Sequence, residues 1–316
     1  MRLLSNALAL FTLAAIPAFA QNTDPVFRVD RREVVLHATV VDKSGKLVPN
    51  LPKDAFTVTE NGIPQTLASF KREDVPVSMG LIFDNSGSMR DKRRKVAVAA
   101  LALVKASNPQ DEVFVVNFND EAYLDQPFTS DIRKMEEALS HIDSRGGTAM
   151  RDAVTMSIDY LKEKGKKVKK VLLVVTDGDD NTSAPGNTIE KLVAKAQQSE
   201  VLIYCIGLLT EEERGKAKRA QRAMNALATA SGGLAYFPKE VADVEELAVQ
   251  VAHEIRNQYI LAYTPANETL DGSYRRILVT AKGANRPVVR TRSGYYATPD
   301  QKPPDKPAPL SSNSLK

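Results

Sequence analysis

The hydrophobic pattern changes period twice along the chain. From Val34 to Val41, alternate residues fall on opposite faces, with Val34, Leu36, Ala38 and Val40 on one and Val35, His37, Thr39 and Val41 on the other. A period of two predicts a strand. Phe56–Thr59 and Gln65–Leu67 flank Asn61-Gly62, a strong short hairpin signal. From Val77 onward, apolar runs alternate with amphipathic helical stretches, which predicts a largely parallel α/β sheet. The expected strands are Ser78–Phe83, Glu112–Phe118, Val171–Thr176 and Val201–Gly207. The expected helices are Lys92–Lys105, Ile132–Ile142, Met150–Glu163, Ile189–Ser199, Lys216–Ala230 and Val244–Arg256. Beyond Gln258 the strand pattern returns at Tyr259–Tyr263, Tyr274–Thr280 and Val288–Thr291. Six lysines between Lys162 and Lys170 suit a helix carboxyl end followed by an exposed loop.

Composition narrows the class. With 316 residues, 43% of them hydrophobic, there is enough material for one large core and a smaller satellite. Forty-three basic and 39 acidic residues leave a formal charge of +4, too slight to argue for nucleic acid. Cys205 is the single cysteine, so an internal disulfide is impossible. Arg2, the apolar stretch Ala7–Ile16 and Ala18-Phe19-Ala20 together predict a cleaved export leader over residues 1–20. No later segment is apolar enough to span a bilayer, so the mature chain is expected outside the cytoplasm, periplasmic or secreted. The expected order is thus a β-rich module at 21–76, an α/β domain at 77–257, a β segment at 258–297 and a Pro-rich disordered tail at 298–316.

Candidate chemistry gathers at the predicted strand ends. The first α/β strand runs into Asp84-Asn85-Ser86-Gly87-Ser88, placing a carboxylate and two hydroxyls on one tight loop. Gly146-Gly147-Thr148 precedes a helix, and the strand ending at Thr176 delivers Asp177-Gly178-Asp179. In an open α/β sheet such strand ends meet at one crevice. Asp84, Ser86, Ser88, Thr148 and Asp177 are therefore the candidate metal ligands. All are hard oxygen donors, which favours magnesium, manganese or calcium over zinc. Magnesium keeps part of its water shell and so leaves positions for an outside ligand.

These residues and their order resemble the von Willebrand factor type A domain and its metal-ion-dependent adhesion site. The resemblance runs over about 77–256. It takes in Asp84-x-Ser86-x-Ser88, Asp111 to Asp120, Ile142 to Ala153 with Thr148, Leu173 to Gly178, and Ile203 to Gly207. It implies a Rossmann-like, doubly wound and mostly parallel sheet. It also implies that Ser86, Ser88 and Thr148 bind the cation by their hydroxyls, while Asp84 and Asp177 act mostly through water. A protein partner's Asp or Glu would complete the coordination. Asn85, Asp120, Gly147 and Asp179 would form the rim that such a partner touches. The flanks resemble an exported bacterial group that carries this domain before a Gln258-Tyr259-Ile260-Leu261-x-Tyr263-x-Pro265 segment.

The rival class is an enzyme, a metal-dependent hydrolase using the same cluster. A serine nucleophile would want a Gly-x-Ser-x-Gly elbow and a histidine base. Ser86 lies instead within Asp84-Asn85-Ser86-Gly87, and His37, His141 and His253 are scattered. Asp120 or Asp179 could serve as a general base, but no pattern marks either. A non-catalytic binding role is the stronger expectation.

Overall fold

The structure is a computed structural model that describes residues 33–72, 74–140, 144–209, 214–284 and 286–299. The expected leader at 1–20 and all but the first residues of the expected tail lie outside the described residues. The chain enters through β1 (Val34–Val41), β2 (Phe56–Glu60), β3 (Ile63–Gln65) and β4 (Leu67–Lys71). The α/β region follows, from β5 (Val77–Asp84) and α1 (Arg93–Lys105) through β6 (Glu112–Phe118) and β7 (Ala122–Thr129) to α2 (Ile132–Ser140) and α3 (Met150–Lys164). It continues with β8 (Lys169–Thr176), α4 (Ile189–Ser199), β9 (Leu202–Gly207), α5 (Arg214–Ser231), β10 (Ala235–Tyr236) and α6 (Val244–Arg256). The last strands are β11 (Tyr259–Tyr263), β12 (Tyr274–Ala281), β13 (Val288–Arg290) and β14 (Gly294–Tyr296).

The central sheet has the order β10-β9-β8-β5-β6-β7, parallel throughout except for the antiparallel edge strand β7. Its inner strands carry unbroken apolar runs because both faces are covered by helices. Met79, Leu81 and Phe83 of β5 pack with Val171, Leu173 and Val175 of β8 beneath α1 and α6. Ile82, Leu172, Val174, Ile203 and Cys205 point to the other face, against α3, α4 and α5. At Gly80 an added Cβ would lie 2.3 Å from the Phe114 ring and 2.5 Å from Leu172, so the crossing of β5 over that aromatic ring demands glycine. Strand order reverses around β5, whose neighbours are β6 on one side and β8 on the other. That reversal opens a crevice at the carboxyl edge.

The flanks interleave instead of standing apart. One sheet has the order β13-β1-β11-β4 and the other β14-β12-β2-β3, so each draws strands from both ends of the chain. Leu36, Val58, Tyr259, Leu261, Ile277 and Val279 share a single core between the two sheets. The rings of Phe56, Phe70 and Tyr259 meet there in tilted contacts at centroid distances of 4.9–5.8 Å. The Asn61-Gly62 hairpin forms, with Asn61 at φ 49° and Gly62 at φ 84°. Gln65–Leu67 is not one strand, however. Gln65 ends β3 in one sheet and Leu67 begins β4 in the other, because the chain crosses between sheets at Thr66.

The α/β domain is thus inserted between β4 and β11, two strands that pair with each other through Lys71↔Ile260 and Phe70↔Leu261. Arg256 at the end of α6 bonds Asp74 at 2.7 Å and also pairs with Asp111. Gln258 donates to the Thr39 and Tyr204 hydroxyls at 3.0 and 3.3 Å. Arg292 pairs with Glu200 at 3.0 Å. The lysine run needs a correction here. Lys169 is no loop residue; it begins β8, is 3% exposed, and donates to the Ile255 carbonyl at 2.5 Å. Burial, with Arg256 nearby, pushes its pKa down to about 7.

Candidate metal and partner site

β5 delivers Asp84 to the carboxyl edge of the sheet, fully buried, and the backbone then turns through a short 3-10 segment at Gly87–Met89 before α1. The Asp84 carboxylate is held from two sides. Its Oδ1 accepts from the Ser86 amide at 2.8 Å and its Oδ2 from the Thr176 hydroxyl at 2.5 Å. Burial raises its pKa above the ordinary carboxyl value, these bonds oppose the rise, and the Asp177 charge adds to it. A second negative charge near a buried carboxylate raises the cost of ionising it, and a cation beside the two would relieve that cost.

From Asp84 the oxygens run outward in a row. The Ser86 and Ser88 hydroxyls are 3.2 Å apart, and Ser88 Oγ donates to Asp177 Oδ1 at 2.8 Å. Oxygens bound side by side to one octahedral magnesium ion lie about 2.9 Å apart, since each bond is about 2.0–2.1 Å. The two observed spacings bracket that value, so these donors fit a shared small cation. Thr148 stands next to them: its Oγ1 would be 3.2 Å from a Cβ at Gly178, the residue following Asp177. The Thr148 loop is pinned by Asn181, whose Oδ1 accepts from the Thr148 amide at 2.8 Å and whose own amide donates to the Thr148 carbonyl at 3.0 Å. Among the described residues no group of three or more His, Cys, Asp or Glu side chains gathers. The donor set is hydroxyl-rich and carries only two carboxylates.

The four expected rim residues differ in placement. Asn85 is largely buried and acts as a brace, with its amide donating to the Phe118 carbonyl at 2.6 Å and its Oδ1 accepting from Ser144 Oγ at 3.0 Å. Asp120 turns onto the Thr148 loop, where its Oδ1 accepts from the Gly147 amide at 2.7 Å. A Cβ at Gly147 would come within 2.5 Å of Thr182, so glycine is required for that approach. Asp179 is paired with Arg219 at 2.6 Å beside the cluster.

Lys92 escaped the sequence reading. Its Nζ lies 2.5 Å from Asp177 Oδ2, with the Asp177 side chain almost wholly buried. Arg93 follows, buried over the Phe83 ring at 5.5 Å and bonded to Asn117 Oδ1 at 2.8 Å; burial pushes its pKa down to about 10, while the Asp84 charge raises it. The run Lys92-Arg93-Arg94-Lys95 at a helix amino end opposes the helix dipole. That mismatch was the available signal that acidic groups face the start of α1.

A doubly wound α/β domain with an oxygen-donor cluster at its switch point, set into a β-sandwich, is the class of protein that fold and site define. Residues 79–179 match the family profile for the von Willebrand factor type A domain. The chain is 23% identical over 146 residues to inter-alpha-trypsin inhibitor heavy chain H4 of Bos taurus, covering 42% of this chain and 16% of that protein. It is 30% identical over 107 residues to integrin alpha-11 of Mus musculus, covering 32% of this chain and 9% of that one. The chain therefore spans less than a fifth of the length of either relative. Among solved structures, a von Willebrand factor type A protein from Catenulispora acidiphila aligns with a TM-score of 0.50 at 13% identity, over 85% of this chain and 74% of that one. That coverage extends beyond the central domain, and the likeness is one of fold. Among the described residues no helix is long and apolar enough to cross a membrane.

Proposed function

We propose that this protein is an exported, non-catalytic binding protein that captures a carboxylate of a protein partner through a divalent cation, magnesium foremost. The observation that carries the reading is the continuous row from Ser86 Oγ through Ser88 Oγ to Asp177 Oδ1, backed by buried Asp84 at the sheet's switch point. A cation bound there supplies a positive centre with coordination positions to spare for an acidic ligand. Ser86 and Ser88 hold it by their hydroxyls, Thr148 closes the cluster from the neighbouring loop, and Asp84 and Asp177 supply the charge. The two carboxylates balance the ion's two charges, and an incoming Asp or Glu gains by replacing water at a coordination position that the protein leaves open. Lys92 is already paired with Asp177, and this ammonium competes with the ion for the same carboxylate.

The family likeness at 79–179 and the similarity to integrin alpha-11 support this reading. The test is calorimetric titration of magnesium into the wild type and Asp84→Ala, followed by partner capture with and without chelator. The variant is expected to lose both ion binding and capture. Unaltered magnesium affinity in Asp84→Ala would remove the cluster from the account.

A further inference from the structure

A cavity of about 390 Å³ opens beside the oxygen cluster, between the amino-terminal parts of α3 and α4 and one side of α5. Met150, Ile189, Ala220 and Ala223 give it an apolar wall. Its size lies at the lower end of the range for small-ligand pockets. Two chain segments belong to both the cavity and the cluster. Thr148 lies two residues before Met150, and Asp177 directly precedes the cavity-lining Gly178-Asp179-Asp180. Two residues of extended chain span about 7 Å, so the two places are one short peptide step apart.

Charge at the cavity mouth is uneven. Asp179 is paired with Arg219 at 2.6 Å and Asp180 with Arg151 at 3.0 Å, so these four groups cancel. Arg222 also lines the mouth, is exposed, and has no ion pair among the described residues. The mouth is left with one unmatched positive charge.

We infer that this cavity is a second recognition pocket of the same site. It takes an apolar side chain of the partner, two or three residues from the carboxylate that the cluster captures, with a further acidic residue facing Arg222. The inference rests on the carboxylate-capture reading and narrows the partner to an acidic segment carrying one aliphatic side chain. An apolar wall beside a captured carboxylate gives specificity that a metal ion alone cannot, because the ion accepts any carboxylate.

Two capped pentapeptides test it, Gly-Asp-Gly-Leu-Glu and Gly-Asp-Gly-Gly-Glu, titrated into the full chain with magnesium and followed by backbone amide NMR. The leucine peptide is expected to bind roughly tenfold more tightly, as one buried aliphatic side chain provides, and to shift amides of α5. Ala223→Phe fills the cavity and should bring the two peptides to the same affinity. Arg222→Glu, on the exposed rim, should weaken both. Equal affinities in the wild type, or a leucine advantage that survives Ala223→Phe in a variant with unchanged thermal midpoint, would overturn the pocket. If magnesium leaves glycine-peptide binding unchanged while the leucine peptide still shifts α5, the pocket stands and the carboxylate reading falls. If the glycine peptide binds only with magnesium and leucine adds nothing, the reverse holds.

Discussion

At the scale of single residues, the site is a contest for Asp177. Its carboxylate accepts from Ser88 and pairs with Lys92, so a divalent ion bound as proposed would have to share or displace the ammonium. Lys92→Met is therefore expected to tighten magnesium binding by roughly fivefold, equivalent to about 1 kcal/mol for a partly exposed pair. Calorimetry giving weaker binding would show that the ammonium supports the cluster. His37 makes a separate case. Its Nδ1 is buried with no hydrogen-bond partner among the described residues, and burial, with the Lys169 and Arg292 charges nearby, pushes its pKa from 6.5 down to about 3. The unfolded chain takes up this proton near pH 6.5 and the folded one resists it to about pH 3. Its contribution to stability is thus complete above 6.5 and is lost as pH falls toward 3. The thermal midpoint of His37→Gln should fall less between pH 7.5 and 4.5 than that of the wild type, and an equal fall would contradict this. The hydroxyls and carboxylates proposed for the cluster stood out in the sequence because they follow the predicted strand ends at Phe83 and Thr176 or precede the helix predicted from Met150. Lys92 was not, because its partner lies 85 residues away and only folding brings them together.

Among the elements, legibility followed burial. The inner strands β5, β6, β8 and β9 carry long apolar runs and were found from them. The edge strand β7 was missed. It leaves Tyr123 and Leu124 exposed, contains Pro127 and pairs with shifts of register, so no alternation marks it. An edge strand tolerates such a proline because one of its sides is unpaired. The lysine run misled for a related reason: charge suggested a loop, but Lys169 buries its stem and satisfies its ammonium on a helix-end carbonyl. At Gly80 the packing between elements leaves no room for a side chain. Gly80→Val would drive methyl groups into Phe114 and Leu172 and is expected to cost about 1–3 kcal/mol or more in denaturant unfolding. A cost within error of zero would mean that the Phe114 ring, which meets the rings of Phe128 and Tyr160 at centroid distances of 4.9 Å, yields easily.

For the whole molecule, the main lesson is where the two parts join. Strand periodicity revealed both β flanks, but no local pattern states that β1 pairs with β11, more than 200 residues away, or that β2 pairs with β12. The junction meets the central sheet at its amino edge, where Arg256 reaches Asp111 just before β6. The oxygen cluster occupies the opposite, carboxyl edge, clear of the sandwich. Arg256→Ala takes the counter-ion from the buried Asp111 carboxylate, which keeps its bonds from the Val77 and Asn108 amides, and is expected to cost about 2–3 kcal/mol in stability, with magnesium affinity changed less than twofold. A large loss of affinity would show that the junction and the cluster are coupled. Locating manganese in crystals of the full chain from its anomalous signal decides whether Ser86, Ser88 and Asp177 gather on one cation. The expected peak lies within about 2.6 Å of both the Ser86 and Ser88 hydroxyl oxygens. A peak elsewhere, or none at saturating manganese, would contradict it.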